Sequence, residues 1–363
     1  MATQCNNHSR EEDVRVVFLS RLFHPHIGGV EKHVEKLSIE LVKKGYQVTV
    51  ITTQYESSLD LDDTYKGIHL LRIPRDQAKR KKSLWKWMES HKKEFKDADV
   101  VHVHDVFWWY LLLRFTVKTP VYTTFHGWEG KFPPPLKSKV IRKISEKLSL
   151  GSICIGDYIK KWYWANPNIV LYGATDQKPL PSASKNRLLV LGRLSKDNDI
   201  PSVIRGIRLI KTYLPDLRVT FLGDGELAWQ AKEQGDVLGF KEDIEPYIKD
   251  THWVIASSYL SIMDSLSAGR TVFSVYTNPL KEDYLKLHPV SQGIYTTSSS
   301  QELAQTFVKV YDQSQEHSQM VNRAQQWARE QTWEVIADHY IKLWNDKSYT
   351  FAYKKLSTDL NFK

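Results

Sequence analysis

Two series of alternating strand and helix, divided by a short proline- and serine-rich linker, limit this chain more than any other feature. Residues 14–20, VRVVFLS, form a β-rich run, followed by the loop RLFHPHIGG. In the next segment Val30, Val34, Leu37 and Leu41 recur at i, i+4, i+7 and i+11. That spacing predicts a helix with one apolar stripe, from which Glu31, Lys32, Glu35, Lys36 and Lys43 face away. Gly45 marks its end, and YQVTVITT reads as a second strand. Strand, helix and strand within residues 14–53 make a βαβ unit, which requires a parallel sheet. Further strands are expected at 69–74, 99–105, 120–127, 152–156 and 169–174.

Residues 177–186, QKPLPSASKN, have the composition of a linker. A second series follows, with strands expected at 187–194, 218–225, 237–240, 253–257 and 271–276, helices between them, and helices onward to the end. The fold class is therefore α/β, with two Rossmann-like doubly wound sheets. We place the first domain at 1–178, the second at 179–332, a helix at 333–345 and a tail at 346–363 that carries no reading. Sheets of this kind bind ligands beyond the carboxyl ends of their strands, so two facing sheets would enclose a cleft.

The length of 363 residues fits two ordinary domains. No apolar stretch reaches the roughly eighteen residues of a membrane span, and MATQCNNHSREEDVR lacks the apolar core of a signal peptide. A cytoplasmic protein is expected. Cys5 and Cys154 are too far apart in sequence, and too few, for a disulfide framework or zinc site. The formal charge of +9 is one-sided: residues 1–180 hold 29 Lys and Arg against 20 Asp and Glu, and the remainder is balanced at 22 each. Its dense parts are 75–87 and 131–147, where cations alternate with Trp, Phe and Pro. A solvated helix face and a peripheral contact with an anionic membrane are both open readings. No nucleic-acid recognition motif accompanies the charge, so nucleic acid is not expected as a partner.

Several loops carry candidate chemistry. Gly28 and Gly29, between the first strand and its helix, leave room for a phosphate or sugar near unpaired helix amides. Arg193 in LGRL and Gly225 in LGDGEL stand just past strand ends, and a guanidinium there offers paired donors to a diphosphate. In SSYLSIMDSLSAGR, Tyr259, Leu260 and Ser261 would present free amides at a helix N-terminus, with about half a unit of positive charge. Asp264, one turn on, is placed to accept hydrogen bonds from vicinal hydroxyls. His102 and His104 in VHVHD share one strand face; without a third ligand, core packing or cleft lining is the simpler reading. FWWYLLL, 107–113, reads as a buried helix start.

The order of GGVEKHVEKLSIELVKKGYQVTVIT, VVHVHD, TTFHG, YGATD, VLGRL, FLGDGEL, LGFKEDIEPYI and SSYLSIMDSLSAGR resembles the GT-B glycosyltransferases of family 4, across residues 14–345. The resemblance implies a retaining enzyme that takes a hexose-type sugar from a nucleotide-diphosphate sugar to a glycan or lipid-linked acceptor, with no metal or other cofactor. It implies that Gly28 and Gly29 approach the donor, that His126 lies near the donor sugar, and that Arg193 steadies the leaving diphosphate. Gly239 and Phe240 would border the base, Asp264 would bind ribose, and helix 333–345 would cross back to the first domain. The chain departs from the pattern in three places. Asn198 stands where a Lys is usual, with Lys196 as a substitute; Ala256 stands where a second acid is usual, in a shortened loop; and Asp264 replaces a Glu. These departures put the sugar in doubt and keep two alternatives open, a non-catalytic nucleotide-sugar binder and a nucleotide-sugar epimerase of similar architecture.

Overall fold

A computed structural model describes residues 14–127, 130–181, 183–312 and 315–355. Cys5 and the end of the tail lie outside them. The first sheet begins with β1 (Arg15–Ser20), whose Val16–Ser20 are all buried, as a strand covered on both faces requires. It continues with β2 (Gln47–Thr53), β3 (Asp62–Tyr65), β4 (Ile68–Ile73), β5 (Val100–His104), β6 (Val121–Phe125), β7 (Gly151–Ile155) and β8 (Ile169–Leu171). The second sheet holds β9 (Ser184–Leu191), β10 (Arg218–Leu222), β11 (Asp236–Val237), β12 (Thr251–Ala256), β13 (Thr271–Val275) and β14 (Ile294–Thr297), all parallel in the order β11-β10-β9-β12-β13-β14. A last short strand, β15 (Phe351–Ala352), returns to pair with β8, giving the first sheet the order β15-β8-β7-β6-β5-β1-β2-β4-β3. In that sheet only β3, a hairpin partner of β4, runs antiparallel.

The helices of eight residues or more are α1 (Gly29–Lys43), α2 (Lys81–Ser90), α3 (Leu136–Leu148), α4 (Ile200–Tyr213), α5 (Tyr259–Ser267), α6 (Pro279–Lys286), α7 (Ser300–Asp312), α8 (Gln315–Glu330) and α9 (Trp333–Asn345). In α1 the expected stripe is met: Val34, Leu37 and Leu41 are buried, with His33 and Ser38 beside them. Helix α9 packs against α1, and its Trp333, Ile336, Tyr340 and Leu343 join the core of the first domain. Each such aliphatic or aromatic side chain contributes on the order of 2 kcal/mol by leaving water. Tyr259 and Leu280 of the second sheet's connections enter the same core, so the two sheets are packed together through α5 and α6.

Three sequence expectations are corrected here. Helices do not run unbroken from 277 onward, because Ile294–Thr297 add a strand beside β13. The tail, which had no reading, supplies β15. The strand expected at 237–240 is reduced to Asp236–Val237, and Gly239 turns away with φ +72.

Candidate active site

The carboxyl ends of the strands from both sheets carry the candidate residues. At the end of β1, Gly28 is extended and opens α1; a Cβ on it would collide with the Glu31 carboxylate, which folds over the helix mouth. Gly29 has open space around its α-carbon. Lys32 and His33, adjacent on α1, reach different partners. Lys32 Nζ lies 2.9 Å from Asp264 Oδ2 on α5, and the His33 ring sits edge-on to His126, 4.8 Å between centroids. Adjacent residues of α1 thus contact Asp264 and His126.

His126 follows β6 and anchors a histidine network. Its Nε2 is 2.8 Å from His104 Nδ1, and its backbone N–H donates to both Asp105 carboxylate oxygens at 3.2 Å. His102, two residues before His104 on β5, pairs with Thr124 Oγ1 at 2.7 Å and accepts from Trp344 Nε1 at 3.0 Å. Tyr340 of α9 closes the group, its hydroxyl 3.0 Å from His33 Nε2 and 2.9 Å from Thr124 Oγ1. Burial holds His33 and His102 down to about 3, and His104 and His126 well below the usual imidazole value, with neighbouring histidines adding to the effect. All four are neutral, as hydrogen-bonding partners rather than cations. Among the described residues no three His, Cys, Asp or Glu could hold a metal ion, so the VHVHD pair belongs to this neutral network.

In the second sheet Arg193 follows β9 and is 60% exposed; its guanidinium meets Asp197 four residues on, and its Nε donates to Ser195 Oγ at 3.2 Å. Asn198 donates to the Arg193 carbonyl at 2.9 Å and so shapes the loop. Lys196 is exposed. Gly223 and Gly225 allow a close approach of backbones: a Cβ would lie 2.0 Å from the Gly192 carbonyl oxygen and 2.4 Å from that of Leu194. With φ of +156 and +154, both positions demand glycine. Gly239 is open and Phe240 exposed, on the outer rim of the sheet beyond β11.

At α5 the expected amide cradle is occupied in part by protein. Tyr259 N–H donates to the Tyr284 hydroxyl at 2.8 Å, and the two rings stack 3.9 Å apart. The Leu260 side chain packs where a Cβ on Gly173 would stand, and Ser258 Oγ donates to Ser261 Oγ at 2.9 Å. Asp264 is 5% exposed, accepting from Lys32 at Oδ2 and from Thr175 Oγ1 at Oδ1, 2.6 Å. It joins α1, the segment after β8 and α5 in one clasp between the domains. Sequence reasoning missed Lys281. This α6 lysine is 4% exposed, donates to the Ser257 carbonyl at 2.7 Å, and is pushed down to about 8 by burial against the pull of Asp199 and Asp197. In NPLKEDYLK it reads as an ordinary surface lysine, and no local signal separates it from one.

Two mainly parallel sheets packed together through α5 and α6, with α9 crossing back, define the GT-B class. Solved GT-B structures match nearly end to end. Sucrose-phosphate synthase from Thermosynechococcus elongatus aligns at TM-score 0.72 and 14% identity, over 92% of this chain and 98% of that one. Anabaena HepE in complex with UDP and glucose aligns at 0.65 and 16%, over 90% and 98%. WaaG, a glycosyltransferase involved in lipopolysaccharide biosynthesis, aligns at 0.65 and 13%, over 91% and 100%. Within that class, residues 27–165 match the model of Glycosyltransferase Family 4, so the family signature lies in the first domain. No curated protein matches the sequence.

Proposed function

We propose that this chain is a glycosyltransferase that moves a hexose-type sugar, with retention, from a nucleotide-diphosphate sugar to a hydroxyl of a glycan or lipid-linked acceptor. The observation that carries the reading is that adjacent residues of α1 reach both sides: Lys32 pairs with Asp264 of α5 and the His33 ring lies against His126 after β6, within or beside the segment that bears the family-4 match. The donor diphosphate would take Arg193, with Lys281 in place of the family lysine and Lys196 at the edge. The exchange costs little on the Arg193 side: an exposed pair such as Arg193–Asp197 is worth at most about 1 kcal/mol. The amides of Leu260 and Ser261 add donors at the α5 mouth. Gly28 and Gly29 leave space for the sugar, Gly239 and Phe240 flank the base, and Asp264 reaches ribose through its remaining lone pairs.

In the step itself the bond from C1 of the sugar to the diphosphate oxygen breaks while the acceptor oxygen bonds C1 on the same face. The acceptor proton passes to the departing phosphate oxygen. Negative charge grows on the leaving group, and Arg193 and the helix mouth stabilise it. His126, neutral, would hold the sugar by a hydrogen bond. The test is transfer from UDP- and GDP-sugars to a panel of acceptors. Arg193→Ala should lower turnover on the order of a hundredfold with the fold intact, and near-normal turnover would overturn the role. Conversion of the donor without any acceptor would instead mark an epimerase, and binding without turnover a non-catalytic protein.

A further inference from the structure

The carboxyl ends of three neighbouring strands, β9, β12 and β13, hold a buried ammonium and a buried carboxylate that do not pair with each other. Lys281, in the first turn of α6 after β13, is 4% exposed, and Asp199, in the loop after β9, is 5% exposed. Each side chain is held by one hydrogen bond. Lys281 Nζ donates at 2.7 Å to the carbonyl of Ser257, which directly follows β12, and stands 4.5 Å from the centroid of the Tyr284 ring. Thr277 Oγ1, after β13, donates to Asp199 Oδ1, whereas Asp199 Oδ2 is buried with no partner among the described residues. Among those residues no ion pair joins Lys281 to Asp199, yet each feels the other's charge. Burial pushes the Asp199 carboxyl up, and Thr277 and the Lys281 ammonium oppose the shift.

The local backbone gives no reason for this acid. Asp199 stands at the N-cap of α4, where an aspartate ordinarily accepts from the first helix amides. Its side chain accepts from none of them, and its carbonyl alone meets the N–H groups of Ser202 and Val203, at 2.9 and 3.1 Å. It also holds the left-handed region at φ +57, where glycine is the unstrained choice. Neither the cap nor the turn calls for a carboxylate, and a buried carboxylate oxygen left bare costs free energy. Strain and unpaired polar groups of this kind are kept where a ligand uses them.

Hydrogen-bonding rules define what fits between the two groups. An ammonium only donates, and an ionised carboxylate only accepts. A free anion would satisfy Lys281 and meet Asp199 with like charge; a metal cation would do the reverse. A hydroxyl suits both, its oxygen accepting from Lys281 and its hydrogen going to Asp199 Oδ2. We infer that Asp199 and Lys281 together bind one hydroxyl of the donor's sugar, which makes Asp199 a residue that decides which sugar is taken; this rests on the transferase reading above. The place fits a sugar, since ligands of such sheets lie beyond the carboxyl ends of the strands, and β12 leads straight into the mouth of α5. Arg193, the diphosphate ligand of that reading, is close enough for its charge to act on Lys281. A sugar joined to that diphosphate therefore brings its hydroxyls to the same end of the sheet.

The experiment is titration calorimetry of the full chain with UDP, GDP, UDP-glucose, UDP-galactose, GDP-mannose and the monodeoxy analogues of whichever sugar nucleotide binds. Asp199→Asn keeps an acceptor for Thr277 and tolerates the left-handed backbone, but sets a donor where Oδ2 was. It should weaken the sugar nucleotide roughly ten- to a hundredfold and leave UDP or GDP within about twofold. Asp199→Gly, which suits the backbone and removes the carboxylate, should show the same selective loss, and melting temperatures check the fold of both. One deoxy analogue should bind the wild type about as weakly as the parent sugar nucleotide binds Asp199→Asn, and lose little more in that variant; it identifies the hydroxyl. Unchanged sugar-nucleotide affinity in both variants would show that water alone bridges the pair and would overturn the inference. Equal losses for nucleotide and sugar nucleotide, further loss of every deoxy analogue in the variant, or no binding of any of these donors to the wild type would overturn it too. Transfer is assayed separately. A sugar-selective loss without transfer to any acceptor would sink the transferase reading and leave the sugar site standing, whereas transfer by Asp199→Asn with an unchanged donor KM would sink the site and leave the transferase.

Discussion

His126 and His104 share one hydrogen between Nε2 and Nδ1, 2.8 Å apart, and His104 Nε2 is buried with no partner among the described residues. Both rings are neutral, so one donates and the other accepts. A buried N–H left unpaired costs more than a lone pair left unpaired, so the hydrogen of His104 belongs on Nδ1, donating to His126. His126 then carries its own hydrogen on Nδ1, as a donor for a ligand oxygen. His104 is a positioning residue on this argument. His104→Leu should release the tautomer and lower kcat by about ten- to a hundredfold with KM nearly unchanged, while His104→Asn, which keeps a donor near the Nδ1 position, should recover most of it. Nitrogen-15 shifts of His126 read the tautomer directly, and an Nε2–H form in the wild type would refute the assignment.

Helix α5 shows where reading from sequence stops. Its acid, its glycine end and its place after a buried strand are all local patterns, and Asp264 is buried on that helix. What the acid touches is not local: Lys32 is 232 residues away, and its pairing exists only once α1 and α5 face each other. The same holds for Lys281, whose burial depends on Ser257, Asp199 and Tyr284 rather than on its neighbours in the chain. Strands β14 and β15 escaped notice because four and two residues are too few to show a period. The βα alternation, by contrast, is set by runs long enough to carry its own signal, whereas the linker composition of 177–186 runs into a strand, since β9 already begins at Ser184. Because Lys32 and Asp264 join the domains, their interaction should appear as non-additivity. A double-mutant cycle of Lys32→Met and Asp264→Asn, read by urea unfolding, should give a coupling on the order of 1–2 kcal/mol. Additive losses would mean that the clasp does not hold the domains, and would leave the carboxylate free for ribose alone.

At the scale of the molecule, five histidines among the described residues are enclosed without charge: His33, His102, His104, His288 and His339 are at most 6% exposed. Burial drives every one below the ordinary value of 6.5, to about 3 for His33, His102 and His288, to about 4 for His339, and well down for His104. The sign follows from proton counting. An unfolded imidazole takes a proton as pH falls through 6.5, whereas the folded one does not until far lower, so the unfolded state binds more protons in between. Stability from these groups is complete above about 6.5 and is lost as pH falls toward their folded values, at about 1.4 kcal/mol per pH unit for each. At about pH 5, unfolding should therefore take up roughly one proton per enclosed histidine. Calorimetry in two buffers of different ionisation enthalpy measures that uptake, and a value near zero would mean that the rings are already charged in the folded protein. Four of the five lie on α1, β5 and α9, which all pack in the first domain. Acid should accordingly loosen the first domain before the second, starting at the wall that holds His126, and a transition that shifts equally in both domains would contradict that placement.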